Sequence, residues 1–290
     1  MKGKARAYFD LVRVPNLFTA AADVLAGLLY VGLERWTELP GLVAASVCLY
    51  AGGVALNDVC DAERDRAERP QRPIPSGRIS RRTALCLSVC LLVIGFGFAA
   101  IISLKAALIA GLLIVAIVLY DAVLKLTLVA PAVMGLCRAL NLALGMQAMP
   151  TLWTAAALTP IGLMWLYVAS VTFFARHEAG RSSAVRLSAG TAGVCTAVVG
   201  LTAVVWVISP VRLSFLWLTA LLALELAYLG FRAVSERSPQ TVQATVKTFV
   251  ISLVLFDACI VWAARGPLAA LLVASLVLPT ILLGRVFRVT

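Results

Sequence analysis

The chain has 290 residues, of which 62% are hydrophobic and only 13% are charged, and its mean hydropathy is +0.98. This composition excludes a soluble globular domain and is typical of an integral membrane protein. The formal net charge of +11 does not indicate a nucleic-acid partner, because the basic residues cluster at the ends of apolar segments and not along one helix face with interleaved aromatic residues. We therefore expect one membrane domain over residues 1–290.

Ten apolar segments are close to the length of about 20 residues that a helix needs to cross a membrane. We expect all of them to be helical, because backbone polar groups in lipid must be satisfied within the segment. The predicted spans are residues 16–33, 41–57, 83–103, 106–121, 127–147, 154–175, 188–208, 213–232, 245–264 and 267–284.

The distribution of basic residues predicts the topology. With the N-terminus in the cytoplasm, about 20 of the 25 Lys and Arg residues lie on the cytoplasmic side, as the positive-inside rule requires. We therefore expect the N-terminus and the long polar loops to be cytoplasmic, and a bacterial inner membrane is the expected location.

The most informative stretch, residues 57–65, follows the second predicted span. On a helix, residues three and four apart share a face, so Asp58, Asp61 and Asp65 are expected to line up. Three aligned carboxylates repel one another unless a cation joins them, and oxygen-only ligands suit Mg2+. Asn57 can add a neutral carbonyl oxygen. The pattern therefore predicts a Mg2+ site.

A basic run rich in proline follows this motif. The forked guanidinium groups of Arg66, Arg69, Arg72 and Arg78 are suited to phosphate oxygens. The segment Arg-Pro-Ile-Pro-Ser-Gly at 72–77 is expected to form a rigid turn, because proline fixes φ and glycine permits a turn. The alternative is a charge-balanced loop whose acids and arginines only pair with each other.

These features resemble the UbiA superfamily of intramembrane prenyltransferases, in particular members similar to 4-hydroxybenzoate polyprenyltransferase. The resemblance rests on the acidic motif at 57–65, the turn at 72–77, the Arg-x-Pro-Asn-Leu stretch at 13–17, and Tyr120 with Lys125 after the fourth span. It implies an all-α UbiA-type bundle of nine to ten transmembrane helices around a central cavity. The family commonly has nine spans, so the tenth is extra.

The resemblance also implies a reaction: Mg2+-assisted loss of diphosphate from an isoprenoid diphosphate donor, followed by transfer of the prenyl group to a lipid-soluble acceptor within the membrane. Membrane lipids surround the site. The residues that it assigns to Mg2+ are Asn57, Asp58, Asp61 and Asp65, and those that it assigns to the departing phosphates are Arg72 and Lys125.

The chain departs from the family at the second acidic motif. Two aspartates four residues apart are expected after the sixth span, but Thr172 and Arg176 occupy those positions. We expect Thr172 to lie at the diphosphate site and Arg176 to offset its charge directly. Glu178 is a candidate substitute ligand, and His177 receives no role. This departure resembles a divergent bacterial branch, the EboC-like proteins.

Ionisable groups inside predicted spans are costly and are functional candidates. They include Asp23, Arg138, Glu225 and Asp257. Arg138 and Asn141 lie on one helix face, and we expect them to contribute to substrate binding. A buried Arg138 needs an anion, which is either Asp23 or Asp257 in a structural role or a substrate phosphate in a functional one. Asp23 and Asp257 either form a structural ion pair or hydrogen bond between helices, or they orient or deprotonate the acceptor.

The sequence predicts a prenyltransferase and leaves other functions open. One alternative is a non-catalytic or repurposed carrier that binds an isoprenoid or another metabolite. Within enzymes, phosphoribosyl transfer and terpene cyclisation are further alternatives on the same fold, and they are distinguished by their products.

Overall fold

The structure is a computed structural model that describes residues 2–176, 182–208 and 213–287. In these ranges the chain contains thirteen α-helices and no strand. A short 3-10 segment, Leu33–Glu38, and a π-helical turn, Tyr120–Leu124, complete the helical structure. The all-α prediction is confirmed.

The helices are numbered in chain order. They are α1 (Lys2–Leu11), α2 (Val14–Val31), α3 (Leu39–Cys60), α4 (Ala62–Glu68), α5 (Arg81–Ile102), α6 (Leu104–Leu119), α7 (Ala130–Gly145), α8 (Ala155–Ala175), α9 (Ala184–Ile208), α10 (Leu213–Glu236), α11 (Pro239–Arg265), α12 (Pro267–Ala274) and α13 (Val277–Leu283).

Eight helices of the described ranges are long and apolar enough to cross a membrane. Two shorter apolar stretches, Ala130–Gly145 and Pro267–Leu283, account for the other predicted spans. The last of these is not the single helix that we predicted, because the chain turns between α12 and α13. Large apolar side chains such as Val93, Ile101 and Leu108 point outward, which is the expected surface for contact with lipid.

Polar caps set the ends of several helices. The Ser103 side chain accepts a hydrogen bond from the Ala106 backbone N–H, and the Ser103 backbone N–H donates to Ala99 O. One residue therefore ends α5 and begins α6, which produces the tight hairpin that the sequence predicts there. Gly266, with φ 86°, joins α11 to α12: its backbone N–H donates to Trp262 O, and α12 begins without a side-chain cap.

The long helices pack against their chain neighbours in a closed ring. Around it, α2 contacts α3, α3 contacts α5, α5 to α11 follow in order, and α11 returns to α2. In addition α2 packs directly on α7. A Cβ atom on Gly145 would lie 2.2 Å from Val24 O, and one on Gly27 would lie 2.4 Å from Leu142 O, so glycine is required for this close contact.

One end of the bundle carries most of the charged sequence. We call it the motif end and define it as the end where α3 finishes at Cys60 and α5 begins at Arg81. The starts of α2 and α7 and the end of α6 lie there too, because each helix reverses the direction of the one before it. The acidic motif therefore faces the residues around Lys125 and Arg13.

Candidate active site

The acidic motif lies on a nearly continuous helical path. Asp61 ends α3 with helical backbone angles (φ −83°, ψ −2°) and at once begins α4. Its carbonyl accepts a 2.8 Å hydrogen bond from the Asp65 backbone N–H. Asp58 and Asp65 are seven residues apart on this path and share one face, as the spacing predicts. All three aspartates are nearly buried.

Arg72 bridges two of these carboxylates. Its Nη1 atom donates to Asp65 Oδ2 at 2.7 Å and to Asp58 Oδ1 at 3.3 Å, and only 6% of the residue is exposed. Burial and the nearby Arg13 lower the pKa of Arg72, but a guanidinium remains charged at neutral pH. Arg72 therefore joins the two carboxylates through buried ion pairs.

Arg13 is a second cation on Asp58, and sequence reasoning gave it no such role. Its Nη2 atom lies 3.2 Å from Asp58 Oδ1. Arg13 precedes α2 in a left-handed conformation, with φ 49°. This conformation is unfavourable for a non-glycine residue. Arg13 adopts it while its side chain forms the ion pair with Asp58. The Arg-x-Pro-Asn stretch could have revealed this role, because it begins the helix at the motif end.

Asp61 pairs with different cations. Lys125 Nζ donates to Asp61 Oδ2, and Arg64 Nη2 lies 2.9 Å from Asp61 Oδ1. Burial lowers the pKa of Lys125, while the neighbouring Asp61 carboxylate raises it; the net shift is downward. Lys125 follows the π-helical turn at the end of α6, and such turns are frequent at functional sites.

Asp121 belongs to the same site and was missed by sequence reasoning. Asn57 Nδ2 donates to Asp121 Oδ1 at 2.6 Å, and Asp121 is nearly buried. The carboxylate can only accept this bond, so it fixes which way the Asn57 amide points and leaves the Asn57 oxygen as an acceptor. The position of Asp121 between Tyr120 and Lys125, which the sequence did single out, was the available signal.

The turn after α4 is ordered by its own hydrogen bonds. Ser76 Oγ donates to Arg72 O at 2.6 Å, and Gly77 has a φ of 72°, which glycine readily adopts. Arg78 Nη1 donates to Asp10 Oδ2 at 3.2 Å, which ties the turn to α1. Arg66 pairs with the exposed Glu63. Arg72, one of the four arginines expected to meet phosphate, lies on Asp58 and Asp65.

The second-motif positions do not touch these carboxylates in the structure. Thr172 Oγ1 donates to Val168 O within its own helix at 2.8 Å. Arg176 Nη2 donates to Thr127 O at 2.8 Å and so ties the end of α8 to the segment after Lys125. His177 and Glu178 lie outside the described residues. The binding roles of Thr172 and Arg176 stay predictions.

Arg138 and Asn141 lie deeper in the bundle. Arg138 Nη1 donates to Asp23 Oδ2 at 2.8 Å, and Asn141 Nδ2 donates to the same oxygen at 2.8 Å. Of the partners that the sequence left open for Arg138, Asp23 is the one that the structure shows. The contribution of Arg138 and Asn141 to substrate binding stays a prediction.

Carboxylates and cations are paired at the motif end. Asp58, Asp61, Asp65 and Asp121 lie among the cations of Arg13, Arg64, Arg72 and Lys125. In the described ranges, no three acidic, histidine or cysteine side chains converge on one metal position. The available donors are nevertheless carboxylate and amide oxygens, the set that suits Mg2+. They fit this ion once their present cation partners turn away.

The sequence profile of the UbiA prenyltransferase family matches residues 17–254, which is most of the chain. The chain belongs to the UbiA prenyltransferase family. The resemblance that the sequence motifs suggested is confirmed.

Relatives within the UbiA family include archaeal digeranylgeranylglyceryl phosphate synthases. The chain is 40% identical over 155 residues to the synthase of Methanopyrus kandleri, which covers 51% of this chain and 56% of that protein. It is 35% identical over 125 residues to that of Saccharolobus solfataricus, or 42% and 44% of the two chains. The chain thus matches about half the length of these relatives. Membership of the EboC-like branch stays a prediction.

Solved UbiA structures share the fold. A UbiA homolog from Archaeoglobus fulgidus bound to GPP and Mg2+ superposes with a TM-score of 0.67 and 15% identity over 93% of this chain and 99% of that one. A homolog from Aeropyrum pernix K1 gives a TM-score of 0.67 and 19% identity over 83% and 97%. The predicted UbiA-type membrane bundle is therefore confirmed.

Proposed function

We propose that this protein transfers a prenyl group from an isoprenoid diphosphate to a lipid-soluble acceptor within the membrane. The observation that carries the proposal is the cluster of paired carboxylates and cations at the motif end, in a chain of the UbiA family. Cations and carboxylates that meet at a membrane edge can separate to hold a diphosphate and a metal ion.

In this structure, the cations of the cluster are paired with carboxylates of the same cluster. Arg72 and Arg13 lie on Asp58, and Lys125 lies on Asp61. A diphosphate group offers these cations more negative charge than a single carboxylate does, and guanidinium groups bind phosphate in a fork. We expect Arg13, Arg72 and Lys125 to turn to the diphosphate and to stabilise the negative charge that develops as the carbon–oxygen bond of the donor breaks.

The carboxylates released by this exchange form the metal site. Asn57, Asp58, Asp61 and Asp65 would hold Mg2+, which when bound supplies positive charge to the leaving diphosphate. Asp121 would keep the Asn57 oxygen directed away from itself, in the manner of outer-shell groups that orient metal ligands. The Archaeoglobus homolog was solved with GPP and Mg2+ bound, which supports an isoprenoid diphosphate and Mg2+ as the two ligands of this site.

The acceptor that we propose is a glycerophosphate lipid with a free hydroxyl group. The support is the similarity to digeranylgeranylglyceryl phosphate synthases from several archaea. The hydroxyl oxygen forms the new bond to the allylic carbon, its proton is released, and the diphosphate leaves with the electrons of the broken bond.

The test is a reconstitution of the purified full-length protein in detergent with Mg2+, geranylgeranyl diphosphate and geranylgeranylglyceryl phosphate. We expect pyrophosphate release together with an ether-linked lipid product that mass spectrometry identifies. Release of pyrophosphate with a cyclised hydrocarbon would instead indicate a cyclase. A pentose phosphate joined to a polyprenyl phosphate, formed from the matching substrates, would indicate phosphoribosyl transfer.

A carrier is the alternative from a different functional class, and the replacement of both second-motif aspartates by Thr172 and Arg176 favours it. Arg176 is hydrogen bonded to a backbone carbonyl in this structure. Binding of the diphosphate without pyrophosphate release, tested over several donor lengths and acceptors, would support the carrier and contradict the transferase.

We also propose that the motif end faces the cytoplasm, which the distribution of Lys and Arg supports. A single cysteine placed at Glu63, in a cysteine-free variant, is expected to react with an impermeant thiol reagent only in inverted vesicles. The relatives named above are archaeal, so the bacterial inner membrane stays a prediction.

A further inference from the structure

A second polar cluster lies inside the bundle, away from the acidic motif. It joins Thr19 and Asp23 of α2 to Arg138 and Asn141 of α7. Arg138 donates to Asp23 Oδ2 and to Thr19 Oγ1, both at 2.8 Å, and Asn141 donates to Asp23 Oδ2 and to Ala20 O. The ring of Tyr50 lies 4.9 Å from the Arg138 guanidinium. Tyr50 precedes Asp58 by eight residues on α3, so the cluster lies about 12 Å deeper than the motif.

Asp257 of α11 completes this cluster. Helix α11 packs on α2, the Asp257 and Asp23 carboxyl groups interact electrostatically, and neither residue has any exposed surface. In the described part of the chain, no N–H or O–H group donates to Asp257 Oδ1, to Asp257 Oδ2 or to Asp23 Oδ1. Asp257 therefore lacks a donor on either oxygen, and Asp23 lacks one on Oδ1, although its Oδ2 accepts from Arg138 and Asn141.

The charges of this cluster do not balance if both acids are ionised. Asp23 and Asp257 then carry two negative charges, and Arg138 supplies the one positive charge. An uncompensated charge within a membrane is costly. Water cannot satisfy these oxygens, because atoms without accessible surface have no water-sized space beside them.

We propose that Asp23 and Asp257 share one proton, so that the two carboxyl groups and Arg138 form a neutral, proton-binding cluster within the membrane. A single proton supplies a donor between the two carboxyl groups and removes the excess negative charge. The resulting hydrogen bond fastens α11 to α2, while Arg138 fastens α2 to α7. The site is therefore a proton-dependent clamp at the centre of the bundle.

The other groups that face Asp257 leave this assignment unchanged. Tyr167 of α8 donates its hydroxyl proton to Phe249 O at 3.0 Å, so that proton is already committed. Cys259, on α11 itself, is buried. Tyr50 contacts Arg138 through its ring. Among the described residues packed here, Arg138 is the charged donor, and it binds Asp23.

Infrared difference spectroscopy of the purified protein in detergent tests the proposal directly. We expect the wild-type protein at neutral pH to show the carbonyl stretch of a protonated carboxylic acid, and this band to be lost in both Asp257→Asn and Asp23→Asn. The matched control is Glu34→Gln, which removes an exposed carboxylate and is expected to leave the band unchanged. An unchanged band in both aspartate variants contradicts the proposal.

Thermal stability gives a second test. Because the folded cluster holds a proton that an unfolded aspartate loses above its pKa of about 3.9, wild-type stability should fall as the pH rises. The amide of Asp257→Asn donates the same hydrogen bond and cannot ionise, so the Tm difference between wild type and this variant should decrease with pH. Asp257→Ala should have a lower Tm than Asp257→Asn throughout.

A pH-independent difference would overturn the proposal. The proposal would also be overturned if NaCl, but not choline chloride, stabilised the wild-type protein and Asp257→Asn abolished this effect. The bound cation would then be Na+ and not a proton. If the variants fail to fold, alkaline titration of the wild-type infrared band decides the question: the proposal requires the band to disappear, and a band absent at every pH contradicts it.

Discussion

Two polar clusters of this protein use similar residues in opposite ways. At the motif end, each of Asp58, Asp61 and Asp65 is paired with a cation, several side chains are partly exposed, and most pairs cross between separate helices or turns. In the interior, Asp23, Arg138 and Asp257 are buried and their formal charges do not cancel. Paired groups at an edge can exchange their partners for ligands, whereas an interior cluster with two acids and one cation needs a bound proton.

The largest expected effect is at the motif end. Asp61→Asn removes a carboxylate that is paired with Lys125 and Arg64. Loss of one electrostatic group of a catalytic site costs about 10²–10³-fold in rate, and we expect a decrease in kcat of this size. Pyrophosphate release under saturating donor is the measurement. Glu63→Gln, an exposed acid on the same segment, is the control and should retain activity.

A smaller effect is expected from Arg72→Lys. The ammonium group keeps the charge but lacks the planar guanidinium fork that binds phosphate oxygens, and in the structure the Arg72 Nη1 atom alone contacts both Asp58 and Asp65. We expect kcat/KM for the donor to fall by about 10–100-fold, since each lost charged hydrogen bond is worth about 1.5–3 kcal/mol. Arg66→Lys, at an exposed pair, should change it little. Equal losses in both variants would contradict the specific role of Arg72.

The interior cluster depends on the close contact of α2 with α7. A Cβ atom on Gly145 would clash with the backbone of α2, so Gly145→Ala should lower the free energy of unfolding by about 1–3 kcal/mol. Gly97→Ala meets no atom within 4 Å and serves as the control. Thermal unfolding in detergent measures both. Equal Tm values for the two variants would show that the contact adjusts without cost.

Asp121 tests how finely the motif end is positioned. Removing an outer-shell group that orients a metal ligand costs about 10–100-fold in metal affinity, so Asp121→Ala should raise the Mg2+ concentration needed for half-maximal activity by about 10-fold. Asp121→Asn keeps an oxygen that can accept from Asn57 and should lose less. The same Mg2+ requirement in wild type and Asp121→Ala would exclude the positioning role.

The sequence predicted the scaffold well, because apolar length alone locates most spans. Its spacing rule placed Asp58 and Asp65 on one face, where Arg72 joins them, whereas Asp61 pairs with Lys125 and Arg64. The binding of Mg2+ by all three stays a prediction. Sequence reasoning missed Asp121 and the pairing of Arg13 because both depend on which helices meet at the motif end. It also treated residues 267–284 as one helix, because composition does not reveal the turn between α12 and α13, just before Val277. For Arg138, residue type alone left the choice of anion open, and the structure shows Asp23.

The contrast between the clusters rests on partner exchange at the motif end, and calorimetric binding of inorganic pyrophosphate with and without Mg2+ tests it most directly. Mg2+ must occupy the carboxylates that Arg13, Arg72 and Lys125 leave when they bind the anion. We therefore expect Mg2+ to strengthen pyrophosphate binding by at least about 5-fold, the lower end of typical coupling between sites, and Asp61→Asn to reduce this coupling. Equal pyrophosphate affinity with and without Mg2+ would contradict the account.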